Sequence, residues 1–218
     1  MQRSDHSLVF LHGFLGCPQD WEQVIAHLPE YSCKALSYPF QIPTDSILIG
    51  YSMGGRIALR TSQPKILLST HPGLQTSQQK AQRLQQDQQW IQKLEQDPLD
   101  QFLQAWYAQP LFDSLRNHPD FPNILSRRCQ QDPKILIQML KKESLAYQDF
   151  ILPSQACFIH GEYDVKFKRL YQEHNISSSE ILHAGHAAHL ENPKGCAEAI
   201  KSLLLKSPAS VADEKWRK

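Results

Sequence analysis

No stretch of this 218-residue chain stays apolar for the roughly 20 residues a membrane-spanning helix needs, so no membrane span is expected. Net charge is scarce as well. Lys and Arg total 23 against 22 Asp and Glu, and that balance leaves no broad basic face for nucleic acid or an anionic membrane surface. The five cysteines, Cys17, Cys33, Cys129, Cys157 and Cys196, are scattered and odd in number. They show no metal-ligand spacing and no disulfide framework, so reduced thiols in a cytoplasmic protein are expected, with no metal and no other cofactor. Met1 to His6 is polar and runs straight into the first apolar segment, which does not read as a secretory signal. The length suits one domain, or one domain carrying an insertion. Glycine is sparse at nine residues, yet Gly13, Gly16, Gly50, Gly54, Gly55, Gly161 and Gly185 all lie in or beside three short motifs.

The most informative motif is Gly50-Tyr51-Ser52-Met53-Gly54. The apolar run Ser46 to Ile49 precedes it, and the helix-like run Gly55 to Arg60 follows. Strand, G-x-S-x-G, helix is the setting of a nucleophile elbow, in which a sharp turn lifts the serine hydroxyl above the sheet edge. The N-terminus of the following helix favours negative charge there. A chance match would be common for so short a pattern.

Other motifs accompany it in order. Leu8 to Leu11 is a short strand run ending in His12-Gly13-Phe14, a loop whose Phe14 amide can join the Met53 amide as an oxyanion hole. Cys157 to His160 leads to Gly161-Glu162-Tyr163-Asp164, and Ile181 to Ala184 leads to Gly185-His186. The order Ser52, Asp164, His186 is the serine, acid, histidine order of the α/β-hydrolases. Glu162 rivals Asp164 as the acid; the position of the acid in Gly-Glu-x-Asp favours Asp164. His12 reads as structural, ordering its loop. His71, His160, His183 and His189 have no partner at metal-ligand spacing and read as structural or surface residues.

Along the chain, Trp21 to Leu28 reads as a short helix, and Cys33 to Tyr38 as a strand stopped by Pro39. Lys65 to Thr70 is a further strand ending at His71-Pro72-Gly73. Strands alternating with helices predict a mostly parallel sheet with helices on both faces. From 75 to 150 the strand signal stops. Gln78 to Gln96 and Leu99 to Tyr107 have helical spacing, which predicts an all-helical lid that excludes water from the pocket. The expected division is a core of 1–74 and 151–205, a lid of 75–150 and a frayed tail of 206–218. Val165 to Gln172 and Ala187 to Leu205 are expected as helices packed on the core.

One connection is too short. Only Phe40 to Ser46 separates Pro39 from Ile47, where a helix normally joins two strands that flank the first. The link must climb ~17 Å and cross ~10 Å sideways, about 20 Å on the diagonal. Seven extended residues reach about 23 Å. The segment is therefore expected as an extended strap, leaving one sheet face without a helix, to be covered by the strap or by a second subunit; both monomer and homodimer fit.

Taken together, Leu11 to Gly16, Gly50 to Arg56 and Gly185 to Pro193 resemble α/β-hydrolase motifs. His71-Pro72-Gly73-Leu74-Gln75, Ala81-Gln82-Arg83, Gln89-Trp90, Trp106 to Pro110 and Arg127 are more specific. They resemble the bacterial 2-succinyl-6-hydroxy-2,4-cyclohexadiene-1-carboxylate synthase family of menaquinone or phylloquinone biosynthesis. The short segment after Pro39 departs from that family, which has a Pro-Gly-His-Gly-like loop and a helix there. The resemblance implies a lyase that removes a proton beside a carbonyl and expels pyruvate, with the Ser-His-Asp unit as base. It also implies a polycarboxylate substrate contacted by Tyr51, Arg56, Arg83, Trp106 and Arg127. Arginine suits that task because it stays charged and grips a carboxylate with two parallel N–H bonds. Arg56 also has a plain reading as a helix residue paired to a surface acid, Arg83 and Arg127 have one as solvated helix residues, and Arg128 is expected to be solvated. Trp90 is either lid core or pocket wall. The competing functions are a small-molecule carboxylesterase or thioesterase, whose lid would be mainly apolar, and a binding protein that has kept the fold.

Overall fold

The computed structural model describes residues 7–206; the polar segment 1–6 and the expected tail from 207 onward lie outside the described residues. Short segments of four to six residues form β1 (Ser7–Leu11), β2 (Cys33–Leu36), β3 (Ser46–Tyr51), β4 (Lys65–Leu68), β5 (Ala156–Gly161) and β6 (Ser178–Ile181), apolar in β1, β3 and β4 and more polar in β6. They make one six-stranded sheet in the order β2-β1-β3-β4-β5-β6, and every pairing is parallel. β2 ends at Leu36, before the predicted Tyr38.

Alternation along the strands sorts the core into two faces. Leu8 and Phe10 of β1 join Ile49, Ile66 and Ile159 on one face, while Val9 and Leu11 join Leu48, Leu67 and Phe158 on the other. The first face is covered by α1 (Glu22–Ala26), and the second by α2 (Met53–Leu59), which contributes Ala58 and Leu59. Residues 37–45 contain no helix or strand. They cross as the expected strap, and Phe40 and Ile42 pack on Val9, Leu11, Leu36 and Leu48 where a helix is missing.

The segment after β4 is helical throughout its regular parts. It holds α3 (Ser77–Gln96), α4 (Leu99–Tyr107), α5 (Asp113–Arg116), α6 (Phe121–Arg128) and α7 (Pro133–Lys142), with 3-10 turns at Pro110–Phe112 and Leu145–Tyr147. Thr76 starts α3 with a capping box: its side chain accepts from the Gln79 amide, and Gln79 reaches back to the Thr76 amide. The two ends of the insertion are tied together at its neck. Leu74 and Asp149 form a parallel bridge, the Leu74 amide donates to the Gln148 carbonyl at 3.0 Å and the Ile151 amide to the Pro72 carbonyl at 2.8 Å. Gly73 fits there because its φ is +121° and a Cβ would stand 2.0 Å from the Asp149 carbonyl oxygen.

After β5, α8 (Val165–Glu173) packs Phe167 and Tyr171 on the second sheet face. The predicted single helix over Ala187 to Leu205 is instead α9 (Ala188–Glu191) followed by α10 (Pro193–Lys206). Pro193 explains the break. The residue before a proline is driven out of the helical region, and Asn192 has φ −143° and ψ 73°. Lys206, expected at the head of the tail, ends α10. Among the described residues no helix is long and apolar enough to cross a membrane.

Candidate active site

Ser52 stands between β3 and α2 with φ 49° and ψ −107°. A non-glycine residue at positive φ is held there only by its surroundings. Close approach of α2 to the first strand supplies part of that constraint. A Cβ on Gly54 would lie 2.4 Å from the Leu11 carbonyl oxygen and 2.5 Å from that of His12. The same approach brings the start of α2 beside the His12-Gly13-Phe14 loop. The first intrahelical bond runs from the Arg56 amide to the Ser52 carbonyl at 3.0 Å, so the amide of Met53 precedes the helical ladder and is open to a ligand oxygen. His12 is buried, and its Nδ1 donates to the Gly13 carbonyl at 2.8 Å, which fixes the loop. Burial lowers its basicity, so the ring stays neutral.

Asp164 follows β5 and caps α8, accepting the Phe167 amide at 3.3 Å. Its other carboxylate oxygen accepts Nδ1–H of His186 at 2.8 Å and the Ser69 hydroxyl at 2.8 Å. Burial alone would raise this carboxyl; His186, Ser69 and the Phe167 amide outweigh it and hold it below the ordinary carboxylate value. Glu162 points elsewhere and accepts the His183 amide at 2.7 Å. His186 is 3% exposed and packs against Phe167, Tyr51 and Phe112, with ring centroids at 4.9, 5.3 and 5.8 Å. Glu191 accepts the amides on both sides of it, Gly185 at 2.8 Å and Ala187 at 3.1 Å. Ser52 and His186 line one cavity. The Ser52 hydroxyl makes no hydrogen bond among the described residues, a contact that often closes only when substrate is bound.

That cavity has a volume of about 370 Å³ and lies between the sheet and the helical insertion. Phe14, Tyr51, Met53, Arg56, Arg83 and Trp106 all line it. Arg56 is 8% exposed, and its guanidinium forms neither a hydrogen bond nor an ion pair among the described residues. Burial, with Arg83 close by, pulls its pKa down to about 9. Arg83 is anchored through Nε to Asp87 at 2.8 Å, and Asp87 also accepts the Ser144 hydroxyl at 2.6 Å. Its terminal nitrogens are left for a ligand. Trp106 packs on Phe14 at 4.8 Å and Trp90 at 4.9 Å, and Trp90 is itself a wall residue.

Arg127 does not line the cavity; Arg128 does. Expected to be solvated, Arg128 is 2% exposed. It donates to Asp20 at 2.6 Å and to the Tyr107 hydroxyl at 3.3 Å. Burial would weaken its hold on a proton, but Asp20 and Tyr107 outweigh that and keep it charged. Arg127 is left with a 3.4 Å contact to Asp20. Helical phase explains the exchange. The inward face of α6 holds Ile124 and, four residues on, Arg128. That signal was present in the sequence.

Two further wall residues were not expected there. His71, read as structural or surface, and Lys166 line the cavity, and Lys166 is solvent-exposed. Ser69 supports Asp164 from the end of β4. His189, expected as structural or surface, is buried against Tyr51 and Trp21 at 4.3 and 4.5 Å; burial drives its pKa to about 3, so the ring is neutral. Among the described residues no cluster could hold a metal ion.

A family model described as "Alpha/beta hydrolase family" matches residues 11–199. The chain is 33% identical to a putative 2-succinyl-6-hydroxy-2,4-cyclohexadiene-1-carboxylate synthase of Haemophilus influenzae, over 92% of this chain and 98% of that protein. It is 31% identical to the 2-succinyl-6-hydroxy-2,4-cyclohexadiene-1-carboxylate synthase of Escherichia coli, over 90% of this chain and 93% of that protein. The solved structure of MenH from S. aureus superposes with a TM-score of 0.81 at 23% identity, covering 92% of this chain and 94% of that one. That last likeness concerns the fold.

Proposed function

Because the chain belongs to the 2-succinyl-6-hydroxy-2,4-cyclohexadiene-1-carboxylate synthase family of alpha/beta hydrolases, we propose that it is a lyase of menaquinone biosynthesis. It eliminates pyruvate from a succinyl-enolpyruvyl-hydroxycyclohexene-carboxylate. In this reading Asp164 orients His186, and His186 draws the proton from Ser52. The Ser52 oxygen then takes the proton beside the succinyl carbonyl. The electron pair of that C–H bond moves through the ring and breaks the bond to the enolpyruvyl oxygen, which leaves as pyruvate after protonation. The amides of Phe14 and Met53 stabilise the enolate-like oxygen that develops. No acyl-enzyme forms. The substrate is a small polycarboxylate, and the setting is the cytoplasm.

One observation carries the reading: the Arg56 guanidinium is buried in the wall of the cavity that Ser52 lines, beside Arg83 and with no ion-pair partner among the described residues. An unpaired buried cation costs stability, so its retention is accounted for by an anionic ligand. An ester-cleaving pocket has no such need. The reading is tested by incubating the enzyme with the pathway intermediate and following pyruvate.

Arg56→Met separates a binding role from a structural one. A hydrogen bond to a charged group is worth about 1.5–3 kcal/mol, so kcat/KM should fall roughly ten- to hundredfold. The folded protein should lose no stability, because the variant removes an uncompensated buried charge. Enzyme kinetics and thermal denaturation on one preparation check both. A large fall in Tm with kcat/KM intact would make Arg56 a structural residue.

A further inference from the structure

We infer that His71 donates a hydrogen bond through Nε2–H to a substrate carboxylate oxygen held by Arg56 and Arg83, an inference that rests on the lyase reading and names one of its contacts. His71 follows β4 at the neck of the helical insertion and forms part of the cavity wall with both arginines. Its Nδ1 accepts the Gly73 amide at 3.1 Å, so Nδ1 carries no proton. Nε2 makes no hydrogen bond among the described residues. In a neutral imidazole with Nδ1 as acceptor, Nε2 bears the hydrogen.

The surroundings keep the ring neutral. Burial, then Lys166 from α8, Arg56 from α2, Arg83 from α3 and His174 beyond α8, press its pKa down to about 3. A protonated imidazole would lose the Gly73 bond and add a like charge to this group. A neutral donor adds direction to anion binding without adding charge, and it accepts nothing from a ligand that carries its own donor. The Gly73 amide fixes the tautomer, much as an outer partner fixes a histidine that holds a metal.

Two variants divide the ring between its nitrogens. Asn places an oxygen near Nδ1 and keeps the loop bond to Gly73, but it loses the donor into the cavity. Gln places an N–H near Nε2 and loses the loop bond. We expect His71→Asn to lower kcat/KM by roughly tenfold or more, mainly through KM, with Tm little changed. His71→Gln should keep about tenfold more kcat/KM than His71→Asn. The opposite ranking, or equal activity in the two, overturns the proposal. Nitrogen-15 NMR of the wild-type protein supplies a second readout, titrated with succinate as a dicarboxylate probe. The His71 Nε2–H signal should shift as succinate binds; an unmoved signal overturns the proposal even if both variants are impaired. Succinate moving this signal in a protein that releases no pyruvate would overturn the lyase reading and leave the contact standing.

Discussion

Ser52→Ala is expected to lower kcat for pyruvate release by about four orders of magnitude, roughly 5.5 kcal/mol of barrier. The geometry gives the reason. Asp164 and His186 are held by 2.8 Å bonds to each other and by Ser69, Glu191 and Phe167 around them. Removing the serine oxygen leaves that apparatus intact but takes away the base that receives the substrate's proton. KM should change little, because Arg56 and Arg83 remain in the cavity wall. Tm should hold as well, since alanine replaces only a hydroxyl that makes no hydrogen bond among the described residues. Steady-state kinetics with a continuous pyruvate assay measure the effect. Loss of less than tenfold would remove Ser52 from the proton-transfer path.

Arg128→Leu is expected to cost about 3–5 kcal/mol of stability, the usual result of stripping one partner from a buried ion pair. Asp20 is 3% exposed and keeps only the 3.4 Å contact to Arg127 and the bonds within its own turn, including the Cys17 amide at 3.1 Å. In the parent protein burial alone would raise the Asp20 carboxyl, but Arg128 outweighs it, so the net shift is below the ordinary 3.8. The sign follows from that direction. The pair's contribution is full above the unfolded carboxylate value and fades as pH falls through the folded one. In Arg128→Leu burial acts unopposed by Arg128, so the penalty should shrink in acid, where Asp20 takes up a proton. Denaturant unfolding at pH 7 and pH 4.5 measures both effects. Adding Asp20→Asn to the variant should restore part of the loss, because the two positions are coupled. A loss under 1 kcal/mol at pH 7, or strict additivity in the double variant, would contradict the burial argument.

The parallel sheet covered on both faces was legible because β1, β3 and β4 are short, nearly continuous apolar runs, and strands alternate with helical segments along the chain. The strap was legible from arithmetic: seven residues cannot both make a helix and span the distance. Leu99–Tyr107 was predicted to its boundaries, since Phe102, Leu103 and Tyr107 fall on one buried face. Where reading failed, a local rule had been passed over. Pro193 divides the last helical stretch, and helical phase selects Arg128 over Arg127. Other features could not be read at all. Ser69 and His71 follow β4 and Lys166 lies on α8, and only the tertiary arrangement brings them to Asp164, Arg56 and Arg83. Their chemistry depends on neighbours distant in sequence, which periodicity does not report.

The most direct measurement gives the purified protein two substrates in parallel: the succinyl-enolpyruvyl-hydroxycyclohexene-carboxylate and p-nitrophenyl acetate. The unpaired Arg56 guanidinium beside Arg83 in the cavity that Ser52 lines predicts stoichiometric pyruvate release from the first, abolished in Ser52→Ala, with at most trace hydrolysis of the second. Brisk ester cleavage with a p-nitrophenol burst and no pyruvate would contradict it and identify a serine esterase.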